Sequence, residues 1–434
     1  MIQNSDDISA TGQEADLPNA GPSLFGEDKG LLTQRSGKLI DLQLFGEIAG
    51  VYDSGLAALP PQNGSVKPVG DYGIETDFGV TTSRRWRHAK LSIEYRGKFL
   101  EYATYSIFNG SDQFFDLDYS QLLRRHLTLN LKEVAGTTTT PNGAFSYLPL
   151  ADTNVFVLPT NELFDSRTNY AESRIDMVWQ QSPRLTLDLG ADGFVLRRDE
   201  LQLAGLNGYS ARAAVAYRLT RRQTVGASYQ YVDFDFQRQY GNARLQTAAL
   251  SYSVALGRNL ELQMQAGGSR IDTAGLTQVT LDPTIAAITG ESTAIVTFSR
   301  ALFVPLEDVK LVRRFHRASL NARYSSGVSP GNGIYLTSRQ NTAGAGFSYQ
   351  GSQRLEAALN AGYSRLATLG QSLPPYTNFQ AGAGLDYRIA TGVHLRLRYD
   401  YRNYSTQYLL YKIDSNRVSL GMAYSPGSAP LAIW

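Results

Sequence analysis

The chain has 434 residues, a formal net charge of +2 and no cysteine. A nearly neutral charge excludes the strongly basic proteins that bind nucleic acids, and the lack of any run of about 18 apolar residues excludes a transmembrane helix. Charged residues make up 18% of the chain, below the roughly 25% typical of soluble domains. The 26 tyrosines and 18 phenylalanines suit a protein with aromatic belts at two membrane interfaces.

Residues 1–37 are polar, acidic at first and without periodicity. This composition predicts a flexible N-terminal tail on the periplasmic side. An exported protein needs a signal peptide, and the first sixteen residues have neither its basic nor its apolar region. We therefore expect the first residue to be a processed or misassigned start.

From Lys38 onward, apolar residues alternate with polar or very small ones in segments of about ten residues. Tyr217 and Leu219, for example, share one face of a segment while Arg218 and Thr220 share the other. A period of two indicates a strand. The polar face stays polar along nearly every segment, whereas a soluble sandwich needs a second apolar set for its core. The pattern is typical of a transmembrane β-barrel.

One hairpin unit recurs along the chain at Ser251–Ala266, Ser348–Tyr363 and Asp386–Tyr401. Its turns are short, which fits antiparallel hairpins. The alternate connections are longer, roughly 53–69, 103–112, 137–166 and 272–293. Short turns at one end and long loops at the other match the periplasmic and extracellular ends of an outer-membrane barrel.

The sequence predicts an all-β fold, a closed antiparallel up-and-down barrel over residues 38–425 with about 18 strands, 16 being the alternative. The stretch 273–314 is the least regular part of this count. Val418, Leu420, Met422 and Tyr424 alternate in the last strand, so we expect the barrel-assembly machinery to recognise that strand during insertion. Residues 426–434 form a short C-terminal appendage.

The repeated hairpins, which carry Tyr-Arg before the turn and end on tyrosine, and the total length resemble the β-barrel porin family encoded beside exopolysaccharide-synthesis genes. The similarity covers roughly residues 38–425. The resemblance implies an outer-membrane barrel that exports a surface polysaccharide or exopolysaccharide, with the polysaccharide chain and periplasmic export components as partners.

Strand parity gives a set of charged side chains on the inner face of the barrel. They are His394, Arg396, Arg398, Asp400 and Arg402 on one segment, Asp386 and Arg388 on the preceding one, and Arg212, Arg218, Arg317, Arg323, Glu172, Arg174 and Asp176 elsewhere. Two interpretations stay open. The charges pair across neighbouring strands and hold the register, or they form a cationic stripe that attracts anionic solutes or sugars.

The sequence offers little support for catalysis or for a bound cofactor or metal. The other three histidines, His88, His126 and His316, lie in or beside basic turns, and no metalloprotease, serine-hydrolase or Cys/His metal spacing occurs. Phe114, Phe234 and Phe236 lie near the long loops and are weak candidates for pore contact, whereas the strand tyrosines belong to the aromatic belts.

Three functions fit these observations. The first is an outer-membrane channel for an exported polysaccharide, and the second is a general diffusion porin for small hydrophilic solutes. The third is a structural or surface-attachment barrel whose long loops carry the function. In all three the protein lies in the bacterial outer membrane and contacts its lipid, and the sequence does not decide between a monomer and a trimer.

Overall fold

In the computed structural model, which describes residues 40–56, 68–139, 167–350, 354–370, 373–406 and 411–425, the chain forms one antiparallel sheet. Each of its 18 strands pairs with the strands next to it in sequence, and the first strand pairs with the last. The predicted barrel is therefore confirmed, with 18 strands and not 16. The predicted tail, residues 1–37, and the predicted appendage, residues 426–434, lie outside the described residues.

Hairpin connectivity fixes the order of the elements. The strands are β1 Ile40–Leu56, β2 Val69–Arg85, β3 Ala89–Tyr102, β4 Gly110–Arg124, β5 Leu127–Thr138, β6 Thr168–Gln180, β7 Leu185–Arg198, β8 Gly205–Thr220, β9 Gln223–Gln237, β10 Gly241–Ala255, β11 Leu260–Thr280, β12 Thr293–Arg314, β13 Ala318–Ser329, β14 Ser338–Gln350, β15 Leu355–Thr368, β16 Tyr376–Ala390, β17 Val393–Thr406 and β18 Tyr411–Tyr424. A helix, α1, spans Pro283–Thr289, and a 3-10 turn spans Ser106–Phe108. Within the described ranges, no helix is long and apolar enough to cross a membrane.

The irregular stretch 273–314 is part of a long hairpin. Strands β11 and β12 have 21 and 22 residues, and α1 lies at their tip. Asp282 accepts a hydrogen bond from the backbone N–H of Thr284 at the start of α1, and Gly290 ends the helix with a φ of +75°, a conformation that glycine adopts without steric cost.

Strands β12 and β13 separate at the long-connection end. Their pairing ends at Glu307 and Ser326, although β12 continues to Thr293 in contact with β11. Continuing the register would place Pro305 opposite Val328. Proline has no N–H to donate to a sheet, so the ladder stops there. The chain after β13 then turns toward the barrel axis.

The outer face carries a continuous apolar belt. Leu385, Leu397 and Leu420 form one row across β16, β17 and β18 and are 45%, 43% and 55% exposed. Exposed aromatic side chains lie on either side of such rows, including Trp86, Trp179, Tyr217, Tyr387 and Tyr424 toward the short turns and Tyr209, Tyr229, Tyr363 and Tyr399 toward the long connections. An apolar band between two aromatic belts fits a bilayer.

The polarity of the two faces reverses beyond the belt at the long-connection end. The sequence predicts a polar inner face with no second set of apolar residues, and this prediction is wrong at that end of the barrel. Three clusters of buried apolar residues face inward, around Phe234 and Leu196, around Tyr335 and Tyr376, and around Leu100 and Tyr102. The outward side chains are polar, since this part of the outer wall meets water and not lipid; they include Asp233, Arg244, Arg270 and Asp414.

Candidate functional site: the barrel interior

The inner wall carries the charged residues predicted from strand parity. On β17, His394, Arg396, Arg398 and Arg402 are buried on the inner face, whereas Leu395, Leu397 and Tyr399 are exposed on the outer face. This alternation follows from the extended backbone, which directs successive side chains to opposite sides. The structure therefore brings the charges of β17 together in one column along the wall.

The column begins near the short turns with Arg396. Its Nη1 lies 2.5 Å from Glu47 Oε2 on β1, and its Nε lies 3.0 Å from Asp386 Oδ2 on β16. His394 Nδ1 lies 2.7 Å from Asp386 Oδ1. The bond from Arg396 to Glu47 spans β18, where Gly421 lies in register with Arg396 and Ala423 in register with Glu47. Both positions of β18 carry small residues, and Arg396 therefore contacts a carboxylate two strands away.

The column continues toward the long connections through Glu75 and Asp53. Glu75 pairs with Arg417, with Lys98 Nζ at 3.1 Å and with Arg398 Nη1 at 3.8 Å. Arg402 Nη2 lies 2.9 Å from Asp53 Oδ2. We call the whole set the closure network, because it joins the last strands to the first; it comprises Glu47, Asp53, Glu75, Lys98, Asp386, His394, Arg396, Arg398, Arg402 and Arg417.

A second charged group lies on β6 to β8. Arg212 Nη2 is 2.5 Å from Asp176 Oδ1, and Arg174 Nε is 3.4 Å from Asp176 Oδ2; Glu172 lies on the same face of β6. Gly190 occupies the row between Asp176 and Arg212, where a Cβ would collide with both side chains. Farther round, Arg323 pairs with Asp308 at 2.7 Å. Most of the predicted charges therefore lie near an opposite charge, either on an adjacent strand or across one or two intervening strands.

Three of the predicted residues lie at the short-turn end and not along the middle of the wall. Arg317 is in the turn between β12 and β13, Arg388 is exposed near the end of β16, and Arg218 is near the end of β8. Asp400 lies on the inner face of β17, where it pairs in register with Gly382.

The wall from β9 to β15 is polar but mostly uncharged. Its inner face carries Gln230, Gln265, Asn321 and Asn360, and Gln380 follows on β16. The side chains of Asn321 and Gln380 are exposed to solvent, so water reaches this part of the interior. Sequence reasoning passed over these amides because it selected only charged residues.

The connection 330–337 between β13 and β14 turns into the barrel; we call it the inward connection. Tyr335, 1% exposed, packs among Leu366, Tyr376 and Tyr404. Its hydroxyl donates a hydrogen bond to Pro374 O at 2.9 Å. Gly331 and Gly333 adopt φ values of +76° and +92°, which favour glycine and let the segment fold back.

The inward connection is also attached to the opposite side of the ring. Ala204 N, just before β8, donates to Gly333 O at 3.0 Å. On the near side, Leu369 N, just after β15, donates to Thr337 O at 2.8 Å. Strands β8 and β17 are nine positions apart in a ring of 18. The inward connection therefore bridges the interior between opposite walls.

The three phenylalanines named as candidates for pore contact all lie on the inner face. Phe114, Phe234 and Phe236 are buried in one apolar cluster with Leu336 of the inward connection. They pack as a core at the outer mouth and do not present an open surface.

A closed antiparallel barrel with an apolar outer belt, short turns at one end and a charged inner wall has the architecture of bacterial outer-membrane β-barrels. The chain is a protein of this class, and the bacterial outer membrane is the location that the sequence predicts for it.

The sequence matches no protein-family model and no curated protein. Solved structures with a similar fold include OpdQ, OpdL and the outer membrane protein OpdK, all of Pseudomonas aeruginosa. OpdQ has 10% identity, with 88% of this chain and 97% of that chain covered, and a TM-score of 0.42. OpdL has 14% identity, 89% and 99% coverage and a TM-score of 0.41. OpdK has 10% identity, 89% and 99% coverage and a TM-score of 0.42. These values support no inference about substrate, and the resemblance to the exopolysaccharide-linked porins stays a prediction.

Proposed function

We propose that the chain is an outer-membrane channel for small hydrophilic solutes. The observation that carries this proposal is the inward connection, which crosses the interior and is attached near β8 and near β17. A barrel of 18 strands is wide enough for an aqueous channel. A segment fixed across it narrows the passage, which favours small solutes over a polymer.

The inner wall supports selection by charge and hydrogen bonding. A solute passing through the barrel meets paired charges of both signs on one side and neutral amides such as Gln265 and Asn321 on the other. Side chains of this kind set selectivity in aqueous pores. Because Arg396 and Arg402 each contact a carboxylate, we expect weaker anion selectivity than a stripe of free arginines would give.

Polysaccharide export, which the family resemblance implies, requires the inward connection to leave the interior so that a hydrated polymer can pass. A purely structural barrel requires no conducting path. Reconstitution distinguishes the three functions. Under our proposal the protein conducts ions in planar bilayers, and proteoliposomes swell faster in a monosaccharide than in a hexasaccharide. Equal swelling in both sugars supports export, and a silent bilayer supports the structural role.

Removing the apolar anchors of the inward connection should widen the channel. Tyr335 packs near β17, and Leu336 packs in the cluster around Phe234. We expect Tyr335→Ser with Leu336→Ser to raise single-channel conductance severalfold and to admit the hexasaccharide. The matched control is Ile295→Ser with Val296→Ser, which changes two exposed residues of the projecting β11–β12 hairpin. Unchanged conductance in the first variant would contradict the constriction.

A further inference from the structure

The short turns carry a ring of basic side chains. Sixteen lysines and arginines lie within three residues of the eight short turns, against two acidic residues, Glu261 and Glu356. Every turn has at least one; we call them the basic ring, and they are Arg84, Arg85, Arg87, Lys90, Arg124, Arg125, Arg184, Arg218, Arg221, Arg222, Arg258, Arg313, Arg314, Arg317, Arg354 and Arg388.

The opposite end of the barrel has the reverse balance. Counted with the same three-residue margin, the sequences of the nine long connections contain seven basic and eleven acidic residues. The basic ones are Lys67, Arg167, Arg197, Arg198, Arg238, Arg339 and Lys412, and the acidic ones are Asp71, Glu101, Asp112, Asp152, Glu162, Asp165, Asp199, Glu200, Asp235, Asp282 and Glu291. The chain as a whole carries only +2. The basic ring is therefore a feature of one end and not of the overall composition.

Apolar side chains accompany the basic ring at the edge of the lipid-facing belt. Trp86 and Phe315 are exposed within two of the turns, and Leu123, Leu219 and Ile389 are exposed beside three others. The Arg84 guanidinium lies 5.0 Å from the centre of the Trp86 ring. Arginines beside exposed aromatic and aliphatic groups match the boundary between hydrocarbon and headgroups.

We propose that the basic ring binds anionic phospholipid headgroups in the leaflet that the short turns face. Arginine suits this role because its planar guanidinium donates two parallel hydrogen bonds to a phosphate. Basic groups held at an anionic bilayer surface gain electrostatic attraction that salt screens. The ligand class is a phospholipid with a net negative headgroup.

The distribution of the ring favours lipid over an acidic protein partner. Its charges follow the whole circumference and are not gathered on one side, and strand parity turns part of them, including Arg84 and Arg313, outward. A single protein partner covers one contiguous patch, whereas annular lipid surrounds the barrel. The exposed apolar residues among the arginines also fit a lipid boundary better than a water-filled protein interface.

Trp86 gives a local readout of the lipid beside the ring. We would replace the other two tryptophans, Trp179→Phe and Trp434→Phe, and reconstitute the full chain in phosphatidylcholine vesicles containing brominated phosphatidylglycerol. Quenching of Trp86 fluorescence then reports relative lipid binding. We expect phosphatidylglycerol to be preferred over phosphatidylcholine by about fivefold in low salt, with the preference falling in 0.5 M NaCl.

Neutral variants test the cause of the preference. The preference for phosphatidylglycerol should disappear in a triple variant with Arg84→Gln, Arg85→Gln and Arg87→Gln. It should be unchanged in a control variant at the opposite end, Arg244→Gln with Arg270→Gln. Heat-modifiable gel mobility checks that each variant is folded. If the ring variants do not fold, the salt titration of the single-tryptophan protein still tests the proposal, because that protein keeps the whole basic ring. Equal quenching by the two lipids at low salt would overturn the proposal. Binding of soluble polyglutamate to the basic ring, without any preference between the two lipids, would also overturn the proposal and would indicate an acidic protein partner.

Discussion

Replacing Arg396 by alanine will lower the free energy of unfolding by about 3–5 kcal/mol, the cost of breaking a buried ion pair by removing one partner. The change leaves the carboxylates of Glu47 and Asp386 buried without their guanidinium, since both lie within 3.0 Å of it. The measurement is urea-induced unfolding of the protein refolded in lipid vesicles, followed by gel mobility and tryptophan fluorescence.

Arg270→Ala is the matched control for this experiment. Its side chain is 65% exposed and lies 3.7 Å from Asp272, and an exposed pair contributes about 0–1 kcal/mol. A double variant, Arg396→Ala with Glu47→Ala, should unfold at higher urea than Arg396→Ala alone, because it removes one of the two stranded carboxylates. Equal stability of Arg396→Ala and Arg270→Ala would contradict the burial of the closure network.

The second large effect concerns the lipid-facing side of the same strand. Leu397→Arg places a guanidinium in the apolar belt between Leu385 and Leu420, at a cost of about 2–4 kcal/mol near the bilayer midplane. We expect a marked loss in the fraction of chains that insert into vesicles. Heat-modifiable gel mobility after refolding measures that fraction.

Asn403→Arg controls for the chemistry of the substitution. Asn403 lies on the same face of β17, six residues farther along, where it donates a hydrogen bond to Asp414 in the polar band beyond the belt. This variant should insert normally. Normal insertion of Leu397→Arg as well would mean that the assigned faces of β17 are exchanged.

The ion pairs change one expectation drawn from strand parity alone. Parity places Arg396 and Arg398 inside the barrel, and from that placement Arg396→Asp with Arg398→Asp is expected to fold normally and to shift ion selectivity toward cations. In the structure, the first substitution puts a third carboxylate beside Glu47 and Asp386. We now expect the double variant to be destabilised before its selectivity can be compared.

Alternation was sufficient to predict the fold because lipid and water impose opposite demands on successive residues. The stretch 273–314 stayed uncertain in the sequence, although β12 obeys the same rule in the structure, with Asp308 and Lys310 inward and Val309 and Leu311 outward. Prediction from one rule failed where the environment changes. Beyond the belt, water lies outside and packed side chains lie inside, so inward Phe234 and outward Asp233 reverse the membrane pattern.

The interior contacts were beyond sequence reasoning for two different reasons. The inward connection consists of Pro, Gly, Asn, Thr and a few apolar residues, with no periodicity to show that it enters the barrel. The closure network joins residues from opposite ends of the chain, and parity reports which face a side chain occupies but not which distant charge it meets. Only ring closure brings β17 within reach of β1.

The closure network also has a consequence for the timing of biogenesis. Arg396 and Glu47 are 349 positions apart, and Arg417 and Glu75 are 342 apart. Until β17 and β18 arrive, Glu47 and Asp53 lack the arginines that neutralise them and Glu75 has only Lys98, and charges of one sign resist burial. A chain truncated before Arg396 thus cannot complete its wall. The arrangement acts as a check on completeness, and we expect prematurely terminated chains to remain open, protease-sensitive intermediates.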